Sequence, residues 1–185
     1  MQANKKNYPK FIFSLILCLL VRLIPLRAPN VEPILTTLMP VSLAYGAFAS
    51  FLFAISSILA YDLVTKTIGI QTFFTVFAYG IVGLWSASYF KKNKANKWGY
   101  VRFAVIGTLV FDALTGLTVG PIFFHQSFVT SLVGQIPFTA LHLISNVAFA
   151  FVLSPVIHNF LIRKRERQIE NKSSIIINNL QPKII

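Results

Sequence analysis

One carboxylate of this chain stands where a carboxylate is energetically costly. Asp112 belongs to the stretch 111–120, FDALTGLTVG, inside an apolar run suited to a lipid bilayer. An ionisable side chain within a membrane span is by default a candidate functional residue. The pattern aromatic-Asp-x-x-Thr followed by Thr-x-Gly also occurs in the stretch 61–69, YDLVTKTIG. The two matches indicate either an internal duplication with a site between the repeats or a chance similarity.

Helical spacing places this acid on a polar face. Thr108, Asp112 and Thr115 follow one another at intervals of four and three residues, which puts them on one side of a helix. Two other sets share this spacing, a weak one and one that contains a histidine and an asparagine: Gln71, Thr75 and Tyr79, and Gln135, Thr139, His142 and Asn146. Facing stripes would line a cavity for a polar solute. Alternatively, they hydrogen-bond to one another across a helix interface, and Asp112 and His142 then form a self-neutralising pair.

The composition identifies lipid as the solvent of most of the chain. Of the 185 residues, 55% are hydrophobic and only 12% are charged, with a mean hydropathy of +0.68. Soluble domains carry about 25% charged residues. The net charge of +12 does not indicate a nucleic-acid-binding protein, because most Lys and Arg residues lie in short runs between apolar segments. The single cysteine, Cys18, excludes a disulfide framework within the chain.

Six apolar segments are predicted to cross the membrane as helices, since lipid cannot satisfy an open sheet edge. The sequence therefore predicts an all-α polytopic membrane protein, with a basic tail at 1–10, a membrane domain at 11–162 and a disordered polar tail at 163–185. A loop is expected at 118–127. The six spans are approximately 11–26, 34–44, 46–61, 70–90, 100–117 and 137–162.

The distribution of basic residues predicts the orientation. Fourteen of the 17 Lys and Arg residues lie in 1–10, 91–102 and 163–185. The positive-inside rule then places both termini in the cytoplasm of a multi-pass cell-membrane protein, whereas five spans would put the basic loop and tail outside. In this topology the polar residues gather in the outer half of the membrane domain. Arg22 and Asp62 would lie near the outer boundary, where such side chains snorkel to the interface.

Catalytic motifs are missing from the sequence. It contains no phosphate-binding Gly-rich loop with Lys-Ser/Thr, no His-Glu-x-x-His zinc helix and no Gly-x-Ser-x-Gly nucleophile elbow. The three histidines do not have metal-ligand spacing on one helix. Asp112 and His142 could act as an acid–base pair, but no nucleophile or metal site accompanies them. We therefore expect a binding protein that is not an enzyme and has no cofactor.

Three stretches resemble one family of membrane proteins. RAPNVEP at 27–33, FDALTGLTVGPIFF at 111–124 and GQIPFTALHLISNVAFA at 134–150 are similar to stretches of the substrate-binding S components of energy-coupling-factor transporters. The resemblance covers about 11–162 and includes the length, the six predicted helices and the cytoplasmic termini. It implies a subunit that captures a vitamin-type micronutrient from outside, without catalysis of its own.

The resemblance also implies partners and a site. S components associate with a membrane T component and two cytoplasmic ATPases, and are thought to topple in the membrane to release the solute. The matching substrate-binding positions here are Asn30, Glu32, Asp112, His142 and Asn146. Studied members often dock through alanines at intervals of four in the first helix, but 11–26 contains no Ala, so the docking face stays open. Gly46, Ser50 and Ala54, whose spacing of four usually indicates packing inside a bundle and sometimes a partner interface, are a substitute to test. The alternative function is a structural scaffold that binds no solute.

Overall fold

A computed structural model describes residues 8–25 and 30–180, with side chains described as far as residue 162. Most of the predicted basic tail and part of RAPNVEP lie outside these residues. Within the described part the chain forms six helices and no strand, in agreement with the predicted all-α class. The helices are α1 (Tyr8–Arg22), α2 (Ile34–Tyr45), α3 (Ala47–Thr65), α4 (Ile70–Lys92), α5 (Lys97–Phe124) and α6 (Phe128–Leu180).

Four of the described helices are long and apolar enough to cross a membrane. They are α3, α4, α5 and the part of α6 from Phe128 to Ile162. Many large apolar side chains on them face outward, including Phe73 at 73% and Ile144 at 70% exposure. Exposed apolar surface of this extent requires an apolar partner such as lipid. The helices α1 and α2, with 15 and 12 residues, are shorter than the roughly 20 residues that a span needs.

The short helix α2 is the centre of the bundle. Each residue from Ile34 to Ser42 is buried, so this helix is enclosed on every side. Helix α2 packs against α3, α4, α5 and α6. Helix α1 is more peripheral and packs mainly on α3 and less on α2. At about 1.5 Å per residue α2 is roughly 18 Å long. The segment predicted as a second span is therefore a short central helix around which the long helices pack.

The chain reverses direction at identifiable residues. Gly46, with φ +94°, connects α2 directly to α3 in a conformation that favours glycine. Asn96 begins α5, because its side chain accepts a hydrogen bond of 2.8 Å from the backbone N–H of Gly99. We call the end of the bundle with this α4–α5 connection the basic end. The distal end holds the α1–α2, α3–α4 and α5–α6 connections.

The α5–α6 connection is shorter than the sequence predicted. Helix α5 continues to Phe124 through Pro121, and α6 begins at Phe128, so most of the loop expected at 118–127 is helical. The prediction was wrong because Gly116 and Gly120 are packing residues. A Cβ on Gly116 would meet Gln135, and one on Gly120 would meet Ser131. Small residues at intervals of four let α5 and α6 approach closely.

A second set of small residues packs α3 against α4. Ser50 and Ala54 are fully buried, and a Cβ on Gly83 would lie only 3.1 Å from the carbonyl oxygen of Ser50. Of the two alternatives for Gly46, Ser50 and Ala54, the structure therefore favours packing inside the bundle for Ser50 and Ala54. These small side chains allow close contact inside the bundle.

Helix α6 continues through the polar segment from residue 163 to Leu180. The segment begins with RKRERQIENK, which is rich in Arg, Lys, Glu and Gln, residues of high helix propensity.

Candidate functional site

The polar stripes of α5 and α6 face each other. Oδ1 of Asp112 lies 2.8 Å from Nδ1 of His142, and both side chains are about 98% buried. One helical turn away, Nδ2 of Asn146 donates a hydrogen bond of 2.8 Å to Oγ1 of Thr108. Each pair joins residues predicted to lie on the polar face of its helix. The close packing of α5 on α6 brings three of the predicted site residues together.

These pairs use only part of the hydrogen-bonding capacity of their side chains. Oδ2 of Asp112, Nε2 of His142 and Oδ1 of Asn146 are buried and have no hydrogen-bond partner among the described residues. A buried polar atom without a partner costs about 1–3 kcal/mol, and more if it is charged. Four other buried side-chain atoms also lack partners among the described residues, on Arg22, Thr36, Ser57 and Ser145, so these three are distinguished by lying together on the facing sides of α5 and α6.

A second polar group lies on the other helices at the distal end. Arg22 of α1, only 5% exposed, donates from Nη1 to the carbonyl oxygen of Ser57, 2.9 Å away, and approaches Oε1 of Glu32 to 3.4 Å. Its guanidinium also stacks over the ring of Tyr61 at 4.0 Å. The hydroxyl of Tyr79 in α4 donates to Oε2 of Glu32 over 3.4 Å. Glu32 therefore joins α1 to α4.

Aromatic rings connect the two groups. The ring of Tyr79 packs on Phe111 with centroids 4.0 Å apart, and Phe111 meets the edge of His142 at 5.5 Å. Phe111 adjoins Asp112 in sequence. We call the connected set the distal cluster; its members are Arg22, Glu32, Tyr79, Thr108, Asp112, His142 and Asn146.

The segment before α2 reaches across the bundle to α6. Asn30, which has φ +63°, donates from Nδ2 to the carbonyl oxygen of Phe138 over 3.2 Å. Phe138 in turn packs edge-on against His142, with centroids 6.0 Å apart. Asn30 therefore touches the distal cluster only through Phe138, whereas Glu32 lies within it.

A cleft leads to the cluster from the side. It lies between α5 and α6, has a volume of about 390 Å³, and includes Asp112, Gln135 and Thr139 in its lining. This volume lies within the range of small-molecule sites. The remaining wall is apolar, and Asp112 is its single ionisable residue.

Other polar residues predicted on these faces are bound locally. The hydroxyls of Thr115 and Thr75 donate to carbonyl groups four residues earlier, and Gln135 donates to Thr139 in its own helix. Asp62 accepts a hydrogen bond of 2.5 Å from Thr72 and so holds the α3–α4 connection. The stripe in α4 contributes only Tyr79 to the distal cluster.

Arg22 and Tyr79 are the functional candidates that sequence reasoning missed. Arg22 was expected to snorkel to the boundary, but its guanidinium is buried against α3 and Glu32. The signal for both residues was indirect. The formal charge of Glu32 inside an apolar protein requires a cation or a hydrogen-bond donor nearby.

The arrangement can bind a group that offers hydrogen-bond donors. Ionised Asp112 is acceptor-only, and when His142 carries its proton on Nδ1 its Nε2 is an acceptor as well. Oδ1 of Asn146 adds a third acceptor. Within residues 8–25 and 30–162, where side chains are described, no group of three or more His, Cys, Asp or Glu residues could hold a metal ion.

Comparisons with known proteins identify no relative. The chain matches no protein-family model, no curated protein and no solved structure.

Proposed function

We propose that this chain is the solute-binding subunit of a membrane importer and captures a small, vitamin-type solute in the distal cluster. The observation that carries the proposal is the set of buried atoms without partners on Asp112, His142 and Asn146. A solute that satisfied them would replace their desolvation cost with hydrogen bonds. It would add no other chemistry, so the subunit would not be an enzyme.

The α5–α6 cleft is the proposed way in for the solute. It ends at Asp112, which is 2% exposed, so a solute that reached the acid would have to separate the outer turns of the two helices. Gln135 and Ser131 of α6 pack directly against Gly116 and Gly120 of α5, so these contacts would have to open. A ligand that binds the parted arrangement better would shift the population toward it.

Asn30 and Glu32 are proposed to close the site. Glu32 ties the segment before α2 to Arg22 and Tyr79, and Asn30 ties it to α6 at Phe138. These three contacts are long, at 3.2 to 3.4 Å, and lie at the distal end. They are weak enough to break when the solute leaves.

Membrane topology and partners belong to the same proposal. We place the distal end outside the cell, with six spans and both termini in the cytoplasm, because of the basic residues at the other end of the bundle. The resemblance to S components supports a membrane T component and two ATPases as partners, which would hydrolyse ATP. The lipid bilayer surrounds the exposed apolar faces.

A structural scaffold is the competing function. One observation favours it: Asp112 pairs with His142, and Asn146 pairs with Thr108. Paired polar residues of this kind join membrane helices with about 0.6–2 kcal/mol per contact. The scaffold function does not account for the three atoms that remain without partners.

A thermal-stability screen tests the proposal. The purified full-length chain would be heated with vitamin-sized solutes, in parallel with Asp112→Asn, which preserves side-chain shape. A solute present at 100 times its Kd adds about 2.7 kcal/mol to the unfolding free energy. We expect at least one solute to stabilise the wild type and to lose most of this effect in Asp112→Asn. Equal stabilisation of both proteins would remove Asp112 from the site, and no stabilisation across the library would favour the scaffold.

A further inference from the structure

The buried charges of the distal cluster do not balance unless a proton is included. Arg22 and Glu32 compensate each other at 3.4 Å. Asp112 has only His142 as a possible cationic partner, at 2.8 Å. If His142 is neutral, the cluster carries one net negative charge in a place that is 98% buried. Such a charge is so costly in an apolar medium that the group instead binds a proton or a counter-charge.

The elements packed around the Asp112–His142 pair carry several charged and polar side chains. Helix α1 contributes Arg22 and Cys18, the segment before α2 contributes Glu32, and α4 contributes the hydroxyl of Tyr79. Helices α5 and α6 add the uncharged Thr108 and Asn146. Asp62 of α3 is engaged with Thr72 at the α3–α4 connection. Apart from His142, Arg22 is the nearest cation among these groups, and Glu32 already compensates it.

The atoms without partners define what could replace the proton. With the proton on Nδ1 of His142 shared with Asp112, the free positions are Oδ2 of Asp112, Nε2 of His142 and Oδ1 of Asn146. All three accept hydrogen bonds in this tautomer. A primary ammonium offers three N–H donors and one positive charge. It therefore supplies the missing charge and donors for Asp112, which lines the α5–α6 cleft. Because Nδ1 of His142 faces Asp112, Nε2 lies on the far side of the ring and would take a donor from another part of the solute.

Aromatic rings next to the pair suit a cation with an aromatic body. Phe111 and Phe138 both contact the ring of His142, and Tyr79 packs on Phe111 at 4.0 Å. Ring faces attract a cation within about 6 Å and bury flat apolar groups. An anion would meet Asp112 without compensation and would be rejected.

We propose that the site takes an organic monocation of the arylalkyl-ammonium type, and that its binding releases one proton from the Asp112–His142 pair. This inference rests on the proposed function. In the empty site the pair holds an ionised carboxylate and a doubly protonated imidazole, with a net charge of zero. The ammonium arrives with charge +1, the imidazole loses one proton to water, and the pair is left with charge −1. The occupied site is again neutral.

Calorimetric titration of the purified full-length chain tests this exchange. The probes are benzylammonium and phenethylammonium, with benzyl alcohol as the neutral counterpart and benzoate as the anionic one. Each titration is run at one pH in two buffers of different ionisation heat, because the difference gives the number of protons released. We expect the ammonium probes to bind with release of one proton. Their affinity should rise about tenfold per pH unit while the empty pair is protonated.

Three variants separate the steps. The double variant Asp112→Asn/His142→Gln has no titrating group in the pair, so we expect no proton release and no ammonium binding. Asp112→Asn lacks the compensating charge and should lose at least about tenfold in affinity. Asp62→Asn is the matched control, because Asp62 is an acid at the distal end with a different partner, and it should bind like the wild type.

The outcomes distinguish this inference from the proposed function. Binding of benzyl alcohol or benzoate that depends on Asp112 and releases no proton would overturn the inference and leave a solute-binding function. Ammonium binding with no proton release in the wild type would overturn the exchange. No binding of any of the four probes would overturn the inference, whereas the proposed function is decided by the thermal-stability screen.

Discussion

Replacing the Asp112–His142 pair with apolar residues should separate its structural role from its functional one. In Asp112→Leu, His142 loses its only hydrogen-bond partner, and in His142→Phe, Asp112 becomes an acid with neither oxygen paired. Removing one member of a buried pair costs about 3–5 kcal/mol. We expect each single variant to lose unfolding free energy of that order.

The double variant Asp112→Leu/His142→Phe should recover most of this loss. Well-packed apolar replacements of a buried ion pair are often neutral or stabilising by about 1–4 kcal/mol. Phenylalanine at position 142 can keep the edge-on contacts that the imidazole makes with Phe111 and Phe138. The wild type, the two single variants and the double variant form a double-mutant cycle. We expect a coupling free energy between positions 112 and 142 of about 3 kcal/mol or more.

Chemical unfolding in bicelles, followed by tryptophan fluorescence, measures the cycle. The account requires the double variant to be stable and unable to bind the solute. Single variants that each cost less than about 1 kcal/mol would refute the reasoning, because the two side chains would then be solvated. A double variant that still binds would place the solute elsewhere.

Three further predictions concern packing and the second polar group. Gly83→Ala should be less stable than the control Gly134→Ala by about 1–3 kcal/mol in the same unfolding assay. A Cβ at 83 meets the backbone of Ser50, whereas one at 134 meets nothing within 4 Å. Equal stabilities of the two variants would contradict the α3–α4 contact. Cys18, at 2% exposure, should react with a maleimide only after denaturation, and fast labelling of the native protein would show that α1 is not packed as described. Arg22→Gln should lower the free energy of unfolding by about 1.5–3 kcal/mol, measured by thermal or chemical denaturation, since it removes a charged hydrogen-bond donor from Ser57 and Glu32. A loss below about 0.5 kcal/mol, which is typical of a surface substitution, would argue against burial of the guanidinium.

Periodicity predicted the parts of the site that lie on a single helix face. The intervals of three and four residues placed Asp112 with Thr108, and His142 with Asn146, and the structure brings these two faces together. Spacing within one helix carries no information about which neighbour its face meets. The contribution of Tyr79 through Glu32 therefore depended on tertiary packing that the sequence does not encode locally.

The fold was predictable in element type and less so in the role of each element. The apolar runs predicted six helices, because a long apolar segment is a strong signal. The helices α1 to α4 begin and end within four residues of the predicted bounds, whereas α5 and α6 are longer than predicted. Helix α2 was expected to be a short span, since its composition does not distinguish contact with lipid from contact with other helices. The loop expected at 118–127 contains Gly120 and Pro121, but in the structure both lie inside α5. Gly116 and Gly120 there allow close packing of α5 against α6.

Mass spectrometry of small molecules released from the purified protein tests the central claim most directly. The wild type and the double variant Asp112→Leu/His142→Phe would be purified side by side in mild detergent, denatured and compared. A solute-binding subunit predicts a compound that is stoichiometric with the wild type and absent from the variant. A wild type with no compound, or the same compound in equal amounts in both proteins, would contradict the claim that the distal cluster holds a solute.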